Sequence, residues 1–95
     1  MTEYPTEEFL DYVRKYNVFR NGPRELIENI RDEWQWRDLI RWYPKTRTLK
    51  ISTGGWSGHE DIIGALQDNF MFWSLYWRAT IRGGHYTFKI VKVTE

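Results

Sequence analysis

Thr48-Leu49-Lys50-Ile51-Ser52-Thr53-Gly54-Gly55-Trp56-Ser57-Gly58, running on through His59-Glu60-Asp61-Ile62-Ile63 to Asn69, decides the architecture of this chain. Leu49, Ile51 and Thr53 alternate with Lys50 and Ser52, the period-two pattern of a strand with one buried and one wetter face. Gly54 and Gly55 then permit backbone angles that a Cβ resists, so the chain can turn sharply from strand to helix. Ser57 is the expected N-cap, and Glu60, three residues on, completes a Ser-x-x-Glu capping box. Loss of the serine oxygen is expected to cost about 1 kcal/mol. In the helix that follows, Ile62, Ile63 and Leu66 face inward and Asp68-Asn69 marks the end. Gly64 costs about 1 kcal/mol relative to alanine unless close packing needs it.

Upstream of this unit, Thr6 can cap a helix to about Tyr16, with Glu7, Glu8 and Asp11 near its positive end and Arg14 and Lys15 near its negative end. Phe9, Leu10, Val13 and Tyr16 form its apolar stripe. Asn21-Gly22-Pro23 starts a second helix, because proline suits the first helical position, and Leu26, Ile27, Ile30 and Trp34 then recur on one helical face. This helix is expected to reach about Asp32. Between Trp36 and Tyr43 the pattern suits either a helical face or a strand. The turn signal Pro44-Lys45-Thr46 favours a short edge strand, Leu39 to Tyr43, paired with Arg47 to Thr53.

Downstream, Met71 to Ile81 and His85 to Val93 read as a hairpin closed by a two-residue Gly83-Gly84 turn. That turn pairs Ile81 with Tyr86, Ala79 with Phe88 and Trp77 with Ile90 on a buried face. The other face then carries Thr80 opposite Thr87, Tyr76 opposite Val91 and Arg78 opposite Lys89, the last a like-charge pair that costs a few tenths to about 1 kcal/mol. The expected fold class is α+β: two N-terminal helices, then a β-α-β-β unit with a three- or four-stranded, mostly antiparallel sheet in one domain spanning 1–95.

A chain of 95 residues buries something over roughly 60% of its unfolded surface, so its stability is expected to be modest. There is no cysteine, which removes disulfides, thiolate metal sites and cysteine nucleophiles and fits a reducing compartment. The N-terminus lacks the basic start and apolar core of a signal peptide, and no apolar run approaches a bilayer span, so a cytoplasmic protein without a membrane partner is expected. With 14 basic and 13 acidic residues, no global field points to nucleic acid or membrane, and any basic site must be local. The chain is tryptophan-rich, with Trp34, Trp36, Trp42, Trp56, Trp73 and Trp77. So many aromatics either fill a small core or stand out as interface anchors, and Trp36, Trp42 and Trp56 are the interface candidates.

Three further constellations could carry chemistry. Gly54, Gly55, Trp56, Ser57, Gly58 and His59 form a loop at a helix N-terminus, where amides and dipole can hold a phosphate or carboxylate; a plain strand-to-helix turn explains the same residues. The loop matches neither the P-loop nor the dinucleotide fingerprint. Lys50, Tyr76, Arg78, His85 and Lys89 would make a basic and aromatic sheet face suited to single-stranded nucleic acid, unless helix carboxylates neutralise it. His59, Glu60 and Asp61, with His85, invite an acid-base reading. However, consecutive helix residues point to different faces, and acids in a first turn are ordinary dipole partners, so a non-enzymatic protein is expected. Two histidines without His-x3-His spacing give no zinc site, and no cofactor is expected.

At Leu49 to Ile63 and at Arg82-Gly83-Gly84-His85-Tyr86-Thr87-Phe88 the chain resembles small uncharacterised bacteriophage-encoded proteins. The resemblance covers roughly the C-terminal half and carries no activity, catalytic residue or ligand. It implies a phage accessory protein in a bacterial cytoplasm. The expectation is therefore a binding protein that modulates a host protein or process through an aromatic surface. The alternative is a nucleotide, phosphate or single-stranded nucleic-acid binder that uses the glycine loop and the basic sheet face.

Overall fold

The Thr6 hydroxyl accepts a hydrogen bond from the Phe9 amide at 3.0 Å and opens helix α1, Glu7–Lys15, in the computed structural model, which describes residues 4–91. Leu10 and Val13 are its buried stripe. The Asn17 side chain then caps a short helix α2, Val18–Asn21, by accepting from the Phe19 and Arg20 amides, each at 3.0 Å. Nothing in the expected pattern contained this turn. Pro23 stands at the cap of α3, Arg24–Glu33, one residue earlier than expected, and α3 buries Leu26, Ile27 and Ile30.

A single 3-10 turn at Arg37–Leu39 leads into β1, Ile40–Tyr43, which pairs antiparallel with β2, Thr48–Ser52. The ambiguous stretch therefore resolves into both elements, and the expected edge strand forms. Helix α4, Ser57–Asp68, and helix α5, Phe70–Tyr76, precede β3, Trp77–Ile81, and β4, His85–Lys89. The four strands lie in the order β1-β2-β4-β3, with every neighbouring pair antiparallel. β2 and β3 are separated by β4, so the sheet contains no parallel neighbours.

Helices occupy one side of the sheet. Ile40, Leu49, Ile51 and Phe88 share a buried core with Leu10, Val13, Leu26, Ile30, Ile62, Leu66 and Phe72. Each fully buried side chain of this size contributes roughly 1.5–3 kcal/mol. α1 packs on α4, and α4 on α5.

Residues 71–76 are helical, not the start of a hairpin strand. The cause is Asn69, buried at 2% exposure. Its Oδ1 accepts from the Phe72 amide at 3.1 Å and caps α5, while its Nδ2 donates to the Val13 and Tyr16 carbonyls at 2.8 and 2.9 Å. One amide side chain thus ties the end of α1 to the start of α5. Phe72 and Tyr76, four apart, face the core, so Tyr76 leaves the sheet face on which it was expected.

The hairpin register also differs by one residue from the expected one. Ile81 pairs with His85, Thr80 with Tyr86, Ala79 with Thr87 and Trp77 with Phe88, because the loop holds Arg82, Gly83 and Gly84 and not only the two glycines. A bulge between Trp77 and Ala79 absorbs the mismatch and returns Trp77 to the face of Phe88. Trp77 consequently does not pair with Ile90 and is 37% exposed, while Ile90 is buried as expected. Arg78, in the bulge, does not oppose Lys89; its guanidinium donates to the Leu75 and Trp77 carbonyls. Val93 lies outside the described residues.

Candidate functional site

Trp34, at the C-terminal end of α3, donates its indole N–H to the Ser52 carbonyl at 3.1 Å and lays its ring on His59. The two rings are 4.1 Å apart and 4° from parallel. Trp36 and Trp56 meet the same imidazole edge-on at 5.3 and 4.5 Å. His59 is wholly buried within this box. The Gln35 amide donates to its Nε2 at 3.0 Å, which leaves Nδ1 to carry the proton and donate to the Thr53 carbonyl at 2.9 Å. Burial lowers the pKa of this imidazole below its ordinary value, and the bond to Thr53 opposes that shift only in part. With both nitrogens engaged, His59 is a neutral structural group beneath the glycine loop.

The loop itself is a packed corner. Gly54 takes φ 64°, so its conformation requires glycine, and a Cβ there would also push aside the Leu39 Cδ1 methyl at 2.8 Å. Thr53 accepts from the Gly55 amide at its hydroxyl and from the Trp56 amide at its carbonyl. Trp56, not Ser57, occupies the N-cap, and no side chain caps the helix. The expected capping box therefore does not form. Ser57 is the first helical residue, and its hydroxyl meets the Tyr4 hydroxyl at 3.0 Å. The Trp56 ring lies directly over Gly58 and also touches Tyr4 at 5.1 Å and Trp36 at 6.1 Å.

The other side of the sheet has a different character. Alternation from the buried positions directs Arg41, Tyr43, Thr48, Lys50, Ser52, Ala79, Ile81, His85, Thr87 and Lys89 away from the helices, and none of them is buried. Cross-strand pairing aligns Arg41 with Lys50 and Thr87, Tyr43 with Thr48 and Lys89, and Ser52 with His85 and Ile81. The like-charge neighbours are thus Arg41 and Lys50, in place of Arg78 and Lys89. The Lys50 ammonium sits 6.0 Å from the Tyr43 ring centre, and Ser52 Oγ meets His85 Nδ1 at 2.7 Å. Among the described residues, none of these groups forms an ion pair with a carboxylate. All 13 acidic residues fall outside 39–59 and 69–94, the stretches that supply the strands. Among the described residues, every ion pair joins side chains of the helical layer: Arg14 with Glu7, Asp11 and Asp68, Arg24 with Glu28, and Arg37 with Asp32. The net charge of +1 conceals a segregated molecule, acidic on its helices and basic on its sheet.

Of the residues expected on the basic face, Lys50, His85 and Lys89 are there, Arg78 is displaced to the bulge and Tyr76 is buried in α5. Arg41 and Tyr43 belong to the face and were missed, since their placement depends on β1 pairing in register with β2. Of the interface candidates, Trp36 is 46% exposed, while Trp56 is half-buried against Trp36 and His59. Trp42 is half-buried and lines a separate cleft between α3 and the β1–β2 turn. Among the described residues no group of histidines and carboxylates could hold a metal ion, and no helix is long and apolar enough to cross a membrane. Compared with protein-family models, with curated proteins and with solved structures, the chain matches none.

Proposed function

We propose that the chain acts by binding, and that it binds single-stranded nucleic acid across the outer face of the sheet. The observation that carries this reading is the sheet face bearing Arg41, Lys50 and Lys89, none of them buried and none in an ion pair among the described residues. Directly opposed like charges such as Arg41 and Lys50 cost stability, and an anionic backbone laid over them removes that cost. Tyr43 and His85 add planar rings on which bases can stack. The resemblance of the two glycine-bearing stretches to bacteriophage-encoded proteins implies a phage-infected bacterial cytoplasm as the setting.

The test is fluorescence anisotropy of a labelled oligothymidylate over a salt series. Three cationic contacts predict a slope of about −2 in log K against log salt. Lys50→Glu/Lys89→Glu should weaken binding at least about tenfold with no fall in the thermal midpoint, since it also replaces the opposed Arg41–Lys50 like-charge pair by an opposite-charge one. Salt-independent binding, or equal affinity in the variant, would refute the reading.

A second reading, a host protein partner, draws on the contiguous Tyr4, Trp56 and Trp36 rings, of which Tyr4 and Trp36 are exposed. An exposed aromatic hot spot typically contributes about 2 kcal/mol or more to affinity. Trp36→Ala should then abolish recovery of a host protein from lysate while the protein stays folded, the loss of its edge contact with His59 lowering the thermal midpoint only partly. Unchanged recovery would exclude Trp36 as the anchor.

A further inference from the structure

Between α3 and the β1–β2 turn lies a cleft of about 500 Å³, a volume within the usual range of small-ligand sites. Its apolar wall is the half-buried Trp42 with Ile27 and Ile90, and its charged groups are Arg24, Glu28, Arg31 and Arg47. Arg24 and Glu28 neutralise each other at 3.1 Å. Arg31 and Arg47 have no carboxylate partner among the described residues, so the cleft carries two uncompensated guanidinium groups beside an indole.

Arg31 carries a feature that the fold alone does not explain, and Arg47 is held rigidly beside it in the cleft wall. The Nε of Arg31 is closed off from solvent and bonded to nothing in the protein, although buried donors are ordinarily paired. Arg47 has φ 54° and is the one non-glycine residue with positive φ among the described residues. Glycine would relieve that strain, but it would lose the bond by which the arginine side chain holds the end of β4. Arg47 is clamped: its carbonyl accepts from the Ile90 amide at 2.8 Å and its Nε donates to the Ile90 carbonyl at 2.6 Å. The clamp fixes the guanidinium stem, and the guanidinium forms no ion pair among the described residues.

We infer that this cleft binds a phosphate monoester carrying a planar ring, of the class of a nucleoside monophosphate, with the phosphate on Arg31 and Arg47 and the ring against Trp42. Two forked guanidinium groups match the charge of about −2 and the three acceptor oxygens of a phosphate better than the two oxygens of one carboxylate. The site lies on the helical side of the sheet and stands or falls separately from the outer face.

Titration with adenosine monophosphate, adenosine and inorganic phosphate, followed by proton–nitrogen NMR, tests it. The Arg31 Nε–H and Trp42 indole signals should both move with the monophosphate, which should bind at least about tenfold more tightly than either fragment. Arg31→Lys, which keeps the charge but removes the guanidinium fork, and Arg47→Gly, which relieves the strained turn and removes the second fork, should each weaken it about tenfold or more. A 5′-phosphorylated oligothymidylate that binds here in preference to the free nucleotide would identify a strand end as the source of the phosphate. No movement of the Arg31 signal at about 5 mM monophosphate, equal affinity for adenosine, or unchanged affinity in both variants would overturn the inference.

Discussion

The imidazole of His59 and the indole of Trp34 lie face to face, 4.1 Å apart, and join the end of α3 to the first turn of α4. Both ring nitrogens are spent on the main chain, one on Gln35 and one on Thr53. A strand end, a helix end and a helix start therefore converge on one neutral, buried side chain.

Acid should loosen this junction. His59 has its pKa lowered from 6.5 by burial, so below about pH 6.5 the unfolded chain takes up a proton that the folded chain refuses. Stability is fully present above that value and falls as pH drops towards the lowered folded pKa, by at most about 1.4 kcal/mol per pH unit. Urea unfolding from pH 8 to 5 should show this extra slope in the parent and not in His59→Phe. Parallel pH profiles would show that folding does not lower the pKa of His59.

Two helical glycines should respond in opposite directions. A Cβ on Gly64 meets nothing within 4 Å, so Gly64→Ala should raise stability by about 0.5–1 kcal/mol. A Cβ on Gly58 would stand 2.4 Å from the Trp56 ring, so Gly58→Ala should destabilise. Adding Trp56→Ala should relieve part of that loss in a double-mutant cycle. Additive effects at 56 and 58 would contradict the packing.

Asn69 should be irreplaceable by its closest analogue. Asn69→Ala loses a cap and leaves the Val13 and Tyr16 carbonyls short of a donor, a cost of about 3 kcal/mol. Asn69→Asp retains the capping oxygen but directs a carboxylate at those carbonyls and should be at least as damaging. Denaturation that finds aspartate close to the parent would mean that only the cap matters.

The two serine and threonine positions expected as caps should separate cleanly. Thr6→Ala should cost about 1 kcal/mol, because its hydroxyl holds the Phe9 amide. Ser57→Ala should stay within about 0.5 kcal/mol, because that hydroxyl caps nothing and bonds only an exposed tyrosine. Equal losses in thermal melts would restore the capping box.

Local chemistry was enough for much of this fold. Alternation in Leu49-Lys50-Ile51, the cap at Thr6, the helical stripe of Leu26, Ile27 and Ile30, and the turn at Pro44 each act over a few residues, and each element formed where its pattern lies. Lys50, His85 and Lys89 were legible as one basic face for the same reason, since strand alternation sets a side chain's face. What failed was whatever depended on residues distant in the chain. Phe70 to Tyr76 is apolar enough for a strand or a helix, and it becomes a helix because Asn69 finds two carbonyls more than fifty positions away. The same remoteness hid the role of Arg41, which joins the basic face only through pairing with β2, and of Arg31 and Arg47, which come together only when α3 packs beside the β1–β2 turn. The sequence by itself determined the α+β class, most element positions and the alternation of faces, because hydrogen-bonding caps and periodic burial are short-range properties. Only the tertiary structure decided the hairpin register, the second half of the α4–α5 connection and which cations lack a counter-charge, because those follow from which distant groups the packed core brings within reach.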